Sequence, residues 1–355
     1  MRIPTANVVG MCHIIGIVGT WRRLYLCTRF QNTNKNATKN MKKGTILLLA
    51  TATVLTLASC NSNDDENGIS IEGITITDDV ECCSAEEALD VYNFLQTLKE
   101  VPELATSVAD KYDVKAYTPT GGFHTGYNDL YYVVTKKATG NYVKYVTIEE
   151  FAPLMHMVKM NMYHSTPISE KVASFSLKYH AVLHGWVSLL MPTSEAGDWA
   201  LSYTIDVLGS KAQIEGQAFT VDALPEGQEW LKSFKVGDET FYLSLVNPND
   251  WKVGTNEILA YVSKQATPRT QPYGIAAETF TIEIDPRMPD MGNHSSPNNV
   301  ALTKRVDNAY RGSINLTMTG LWRIHLTVKD KDGNVVAGGD DLKDGLSSLY
   351  WDVTL

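Results

Sequence analysis

The sequence predicts an all-β protein, two tandem β-sandwiches behind a short N-terminal helical segment. From about Tyr112 onward, short runs of β-branched and aromatic residues recur between Gly, Pro, Asn and Asp turns, the pattern of a sandwich. The series then runs a second time. Gly126-Tyr-Asn128-Asp129-Leu130 returns as Gly254-Thr-Asn256-Glu257-Ile258, and each copy leads into a tract of methionine and histidine beside a His-Ser-x-Pro.

Taken in order, residues 1–40 have no evident role, and the simplest account starts translation at Met41; a long, atypical leader is the alternative. Residues 41–59 read as a secretory signal. They comprise Met41-Lys42-Lys43, an apolar run from Ile46 to Leu57, and Leu57-Ala58-Ser59-Cys60, an ending similar to a bacterial lipobox. The run is about a dozen residues against the roughly 20 that span a bilayer as a helix. Cys60 is therefore expected to be the lipidated first residue. The acidic tether that follows, through Asp64-Asp65-Glu66, is similar to signals that send some lipoproteins to the outer face of an outer membrane, and also reads as a plain solvated linker. The expected location is the outer membrane, lipid-anchored, on its periplasmic or its exterior side.

Residues 60–111 hold this tether and an amphipathic helix. Ile69-Ser-Ile71 and Ile74-Thr-Ile76 alternate like short strands, and Ser84-Ala-Glu-Glu87 is a capping box. Ala88, Val91, Tyr92, Leu95 and Leu98 form an apolar stripe that should pack on the first repeat, with Pro102 marking the end of the helix or a break.

The first sandwich is expected over 112–226. Its strand candidates are Leu130–Val134, Tyr142–Ile148, Trp186–Met191, Trp199–Ile205 and Ala218–Val221. The second, over 227–355, offers Ile258–Val262, Thr279–Ile284, Gly312–Met318, Trp322–Val328 and Leu349–Leu355. Lys136-x-Ala138-Thr139 matches Lys264-x-Ala266-Thr267, Thr147-Ile-Glu149 matches Thr281-Ile-Glu283, and Gly197-Asp-Trp199 matches Gly320-Leu-Trp322. Each repeat, roughly 110 residues, is large enough to bury its own core. The boundary falls near Pro225-Glu-Gly227. Trp199 and Trp322, each opening a strand after a Gly turn, are expected core aromatics.

Charge excludes one class of partner. Eight of the 31 basic residues and none of the 40 acidic ones lie in residues 1–59, so the remainder carries 23 basic against 40 acidic groups, a formal charge of −17. Such a surface repels nucleic acid. Cysteine gives no disulfide framework: Cys12 and Cys27 precede the signal, Cys60 is the lipid site, and only Cys82-Cys83 remain. With no Cys-x-x-Cys spacing or companion histidine, that pair reads as structural or intermolecular rather than as a vicinal disulfide or thiol relay.

The repeated tracts carry the chemistry. The first holds Met155, His156, Met157, Met160, Met162 and His164, and the second Met288, Met291 and His294. Six of the eight methionines beyond residue 59 lie there; the other two, Met191 and Met318, occupy matching places in apolar strand candidates and read as core. Thioether sulfur is a soft, uncharged donor, so such clusters favour Cu(I) or Ag(I) over Zn(II), Mg(II) or Ca(II), and imidazole accepts either copper oxidation state. In an exported protein, thioether also escapes loss to disulfide formation. In an extended strand Met155 and Met157 point together, as do Met160, Met162 and His164. The second tract, with Pro289 and Gly292, reads as a loop. The candidate metal ligands are thus Met155, Met157, Met160, Met162, His164, Met288, Met291 and His294. The competing reading makes these methionines flexible filler between packed sandwiches.

Other polar residues read as structural. His180 and His184 are half-buried candidates near the first tract, and His325 alternates with Ile324 and should face solvent. Asp330-Lys-Asp332-Gly333 reads as a hairpin turn rather than a calcium loop. Glu149-Glu150 and Asp340-Asp341 read as solvated acids. No catalytic signature is present, so an enzyme is not expected.

Pro-x-Met, Met and His-Ser-x-Pro, followed by a strand with Tyr310-Arg-Gly312 and then Gly320-Leu-Trp322, resembles the YtkA-like family, related to the FixH proteins. The resemblance covers most of 270–330 and more loosely 140–205. It implies exported immunoglobulin-like β-sandwiches and, from the FixH branch, copper delivery during oxidase assembly. The chain departs by lacking the FixH membrane helix and by extra residues in its first tract. Together these readings give a lipid-anchored copper-binding protein for sequestration or transfer, with a copper donor or acceptor protein as partner. The alternative is a surface interaction or adhesion module whose tandem sandwiches are structural.

Overall fold

In a computed structural model, the described residues are 70–71, 74–75 and 85–355, excepting Leu177 and 340–347. Cys60, Ser84, Cys82-Cys83, Asp340-Asp341 and the signal lie outside them. The chain is mostly β, in antiparallel sheets, with one α-helix among the described residues. No helix among these residues is long and apolar enough to cross a membrane.

Two hydrophobic cores divide the chain. The first runs from Val101 to Val221 and the second from Phe234 to Val353. The first lies between a six-stranded sheet centred on Gly126–Lys136 and a four-stranded sheet centred on Gly197–Val207 and Val146–Met157, a sandwich-like arrangement. The second is enclosed by a ten-stranded sheet that begins at Leu231–Val236 and includes Gly254–Lys264, Thr281–Met288 and Leu321–Lys329. One difference from the sequence reading is that Lys99–Glu100 and Thr106–Val108, in the N-terminal segment, pair with Tyr112–Thr118 and extend the first sheet.

The continuous run Leu130-Tyr-Tyr-Val-Val134 is explained by burial on both faces, since alternate side chains of a strand point opposite ways. Leu130, Tyr132 and Val134 enter the first core. Tyr131 and Val133 meet the helix Ala85–Leu95, whose Ala88, Val91 and Leu95 are buried against them as the stripe predicts. In the second repeat, Ile258, Ala260 and Val262 enter the core. There the other face takes no helix. Tyr261 stacks on Trp186 at 4.8 Å and lies 6.2 Å from Tyr127, so the first repeat covers part of it. Backbone bonds strengthen this junction: Ser165 N donates to Arg269 O (2.7 Å), Tyr273 N to Thr166 O (3.0 Å) and Ile168 N to Tyr273 O (3.1 Å).

The repetition read in the sequence is also a repetition of hydrogen bonds. Asn128 is 5% exposed; its amide donates to His124 O and Gly126 O and accepts from His124 N. Asn256, 2% exposed, makes the same three bonds with Lys252 O, Gly254 O and Lys252 N. A single amide side chain thus closes the turn that launches each central strand. Downstream, Gly185 faces Leu130 and Gly312 faces Ile258, so the shared spacing preserves a shared register.

His325 departs from its expected solvent exposure. It is 3% exposed on Leu321–Lys329, between Asp285 and Tyr350 on the flanking strands. Burial does alternate along that strand, with the odd-numbered residues half-buried, and His325 is the one of them that is fully covered. The acidic Asp330 turn is a hairpin as expected, Asp330 accepting from the Asp332 and Asn334 amides.

Two outcomes follow. Replacing Asn128 or Asn256 by alanine strips three bonds from buried backbone and should cost about 2–4 kcal/mol in urea unfolding. Burial holds the His325 imidazole below its ordinary range, partly opposed by Asp285. The unfolded chain then binds the extra proton, so this contribution is intact above about pH 6.5 and is lost as pH falls below it toward the depressed folded value. His325→Gln should flatten the pH dependence of the urea midpoint over that window.

Candidate functional site

Each methionine tract folds as a β-hairpin with a 3-10 turn at its tip. In the first, Val146–Met157 runs into Val158–Met160, Asn161 takes the left-handed conformation (φ 47°), and Met162–His164 returns. In the second, Thr281–Met288 runs into Pro289–Met291, Gly292 is left-handed (φ 64°), and His294–Ser295 returns. Asn and Gly tolerate that conformation best, which locates the turns.

The register then does the chemistry. Met155 lies opposite His164, and Met157 opposite Met162. In the second hairpin Met288 lies opposite His294. Directly opposed residues share one face, with Cβ atoms about 4.5–5.5 Å apart. Met155, Met157, Met162 and His164 thus present three thioethers and an imidazole on a single face. The expected partnership of Met155 with Met157 holds, as does that of Met162 with His164. Met160 does not join them: it sits in the 3-10 turn, 55% exposed, where strand alternation ends. Met288 is the last residue of a strand rather than of a loop, and the turn leaves Met291 54% exposed.

A tryptophan underlies each hairpin. On the neighbouring strand Trp199 is paired with Met155. The register Arg287 to Arg323 puts Trp322 next to Met288 in the same way. Both indoles are buried, as the sequence predicts, at 1% and 0% exposure. Their N–H groups donate to Met191 O and Met318 O, each at 2.9 Å. Met191 and Met318 are half-buried residues just past the ends of Val182–Leu189 and Tyr310–Leu316, not inside those strands. Their carbonyls orient the rings. The His164 ring meets Trp199 edge-on at 5.8 Å, and His294 lies 6.5 Å from Trp322.

Glycine makes room for the thioethers. A Cβ on Gly197 would come 2.6 Å from Met155 Cε and 2.8 Å from His156 O, and one on Gly320 would come 2.9 Å from Met288 Cε. The Gly-x-Trp pattern is therefore a packing device in which the glycine accepts the methionine that lies beside the indole.

The imidazole of His164 is oriented too. Its Nδ1 lies 2.8 Å from Ser165 O. A carbonyl only accepts, so Nδ1 carries a proton; in the neutral ring this leaves the Nε2 lone pair for a metal, with Ser165 O as the outer partner. Ser165 is fixed in turn through its hydroxyl, which donates to Pro153 O at 2.6 Å. On the opposite face of the hairpin His156 stacks on Tyr163 at 4.5 Å and lies 3.5 Å from Asp198. His184 is committed elsewhere, 2.8 Å from Asp129 and stacked on Tyr131. His180 is half-buried, as expected.

Among the described residues no three His, Cys, Asp or Glu side chains converge as a metal cluster. The donors gathered at the hairpins are thioether and imidazole. The contribution of Trp199 and Trp322 to the site was missed in sequence, where they read only as core. Their recurrence as Gly-x-Trp downstream of the methionine tract in both copies was the signal.

The chain matches no family model, and no curated protein matches it.

Gly197→Ala should force Met155 and the His156 backbone to shift, costing about 1–3 kcal/mol in chemical denaturation. Met155→Leu, which conserves volume, should cost less than about 1.5 kcal/mol.

Proposed function

We propose that this chain is an exported, lipid-anchored protein that binds copper as Cu(I) through its two Met/His hairpins, for sequestration or transfer rather than catalysis. The observation that carries the reading is the recurrence, in both repeats, of a methionine directly opposite a histidine beside a tryptophan. A core filler requires apolar volume at the methionine position, but it does not require an imidazole across from it in each copy.

The donor set suits the ion. Three neutral thioethers and one neutral imidazole match a soft monovalent cation, which asks for no charge neutralisation. A buried indole lies alongside each methionine, and aromatic rings attract a cation held within about 6 Å. Met162, 48% exposed, and half-buried His164 give an ion a way in, while Met155 lies at the floor.

On this reading the tandem domains are immunoglobulin-like sandwiches of the YtkA-like kind, at 112–226 and 227–355. The signal at 41–59 exports the protein, lipidated Cys60 holds it at the outer membrane, and a copper donor or acceptor protein is its partner. Nucleic acid is not.

The full chain should withdraw Cu(I) from a chromophoric chelator. Met162→Ala combined with His164→Ala should weaken that uptake about tenfold, about 1.4 kcal/mol, with little change in the urea midpoint. If the chain takes up no copper while the double variant is destabilised, the hairpins are structural and the adhesion reading replaces this one.

A further inference from the structure

The two hairpins are homologous in position but unequal in what they offer. The first has three cross-strand pairs, Met155 with His164, His156 with Tyr163 and Met157 with Met162, and the second only Arg287 with Ser295 and Met288 with His294. The pair absent from the second is the one that adds two thioethers to the donor face. Where the first hairpin continues beyond Met155 with His156-Met157, the second turns at once after Met288, and its remaining methionine, Met291, stands exposed at the tip.

Anchorage differs in the same direction. Ser165 and Thr166, directly after His164, are bonded to Arg269 and Tyr273 of the second repeat. His164 is half-buried and its Nδ1 is fixed by Ser165 O. His294 is exposed, and among the described residues no hydrogen bond holds its ring. The donors of one hairpin are thus anchored and nearly complete, whereas those of the other are few, a buried Met288 and a His294 open to solvent.

Resting on the Cu(I) reading above, we infer that the hairpins divide retention from exchange. The first binds a soft monovalent cation tightly with its own side chains. The second holds it by Met288 and His294 and leaves coordination positions for a thioether, thiolate or imidazole of a partner protein, so it is the hairpin through which the ion enters or leaves. Transfer is a ligand substitution at constant oxidation state: each donor from the partner replaces one from the hairpin, and no electron moves. Preorganised donors lose less freedom on binding, which sets the order of affinity.

The test uses Ag(I), which binds as Cu(I) does without oxidising, and the full chain labelled with 13C at the methionine methyls. The first equivalent should shift Met155, Met157 and Met162, and the second Met288. A competing chelator should strip the second set at a concentration at least tenfold lower than the first. Met157→Leu with Met162→Leu conserves volume at one half-buried and one exposed position, and should bring the two sites to similar affinity. Both sets titrating together in the unaltered chain, or an unchanged order of filling in the double variant, would overturn the division of roles while leaving copper binding intact. No methionine shift at all would overturn the metal reading itself.

Discussion

Antiparallel pairing in the two methionine hairpins is the constraint on which the remaining geometry depends. Because opposed residues share a face, one register places Met155 against His164 and Met288 against His294. A slip of one residue would send each sulfur and each imidazole to opposite sides. The left-handed turn residues Asn161 and Gly292 hold that register from the tip. The adjoining Gly-x-Trp strands hold it from below, the glycine taking the methionine methyl and the indole covering its flank.

The body of each repeat serves this arrangement in a different way. In the first, the outer face of the central strand meets the helix Ala85–Leu95; in the second, the corresponding face meets Trp186 and Tyr127 of the first repeat at Tyr261. The same strand pattern is therefore satisfied by two different partners. One consequence reaches the hairpins: the contacts that seat one repeat on the other also pin the segment after His164, whereas the segment after His294 is bonded to Asn315 of its own repeat. Repetition gives two similar hairpins, and the junction between the repeats makes their anchorage unequal.

Much of this was legible in the residues. The duplicated Gly-x-Asn, the paired apolar runs and the two Gly-x-Trp strands predict a doubled β architecture, and the stripe from Ala88 to Leu95 predicts the helix and the repeat it packs on. The soft donor chemistry could be read from Met155, Met157, Met162 and His164 without coordinates. Met160 was misplaced because strand alternation was extended through a 3-10 turn. His325 was misplaced because alternation gives the face a side chain lies on, not how far its neighbours on flanking strands cover it. The tryptophans were recognised as core but not as neighbours of the tracts, since they lie 44 and 34 positions along the chain from Met155 and Met288.

The sequence by itself determined the period of the fold, the repetition and the kind of donor atom, because these follow from local spacing and side-chain chemistry. Tertiary structure decided which donors share a face, which imidazole nitrogen is left free, and which hairpin is anchored. Those depend on cross-strand register and on contacts between distant segments, and neither is encoded at any one position of the chain.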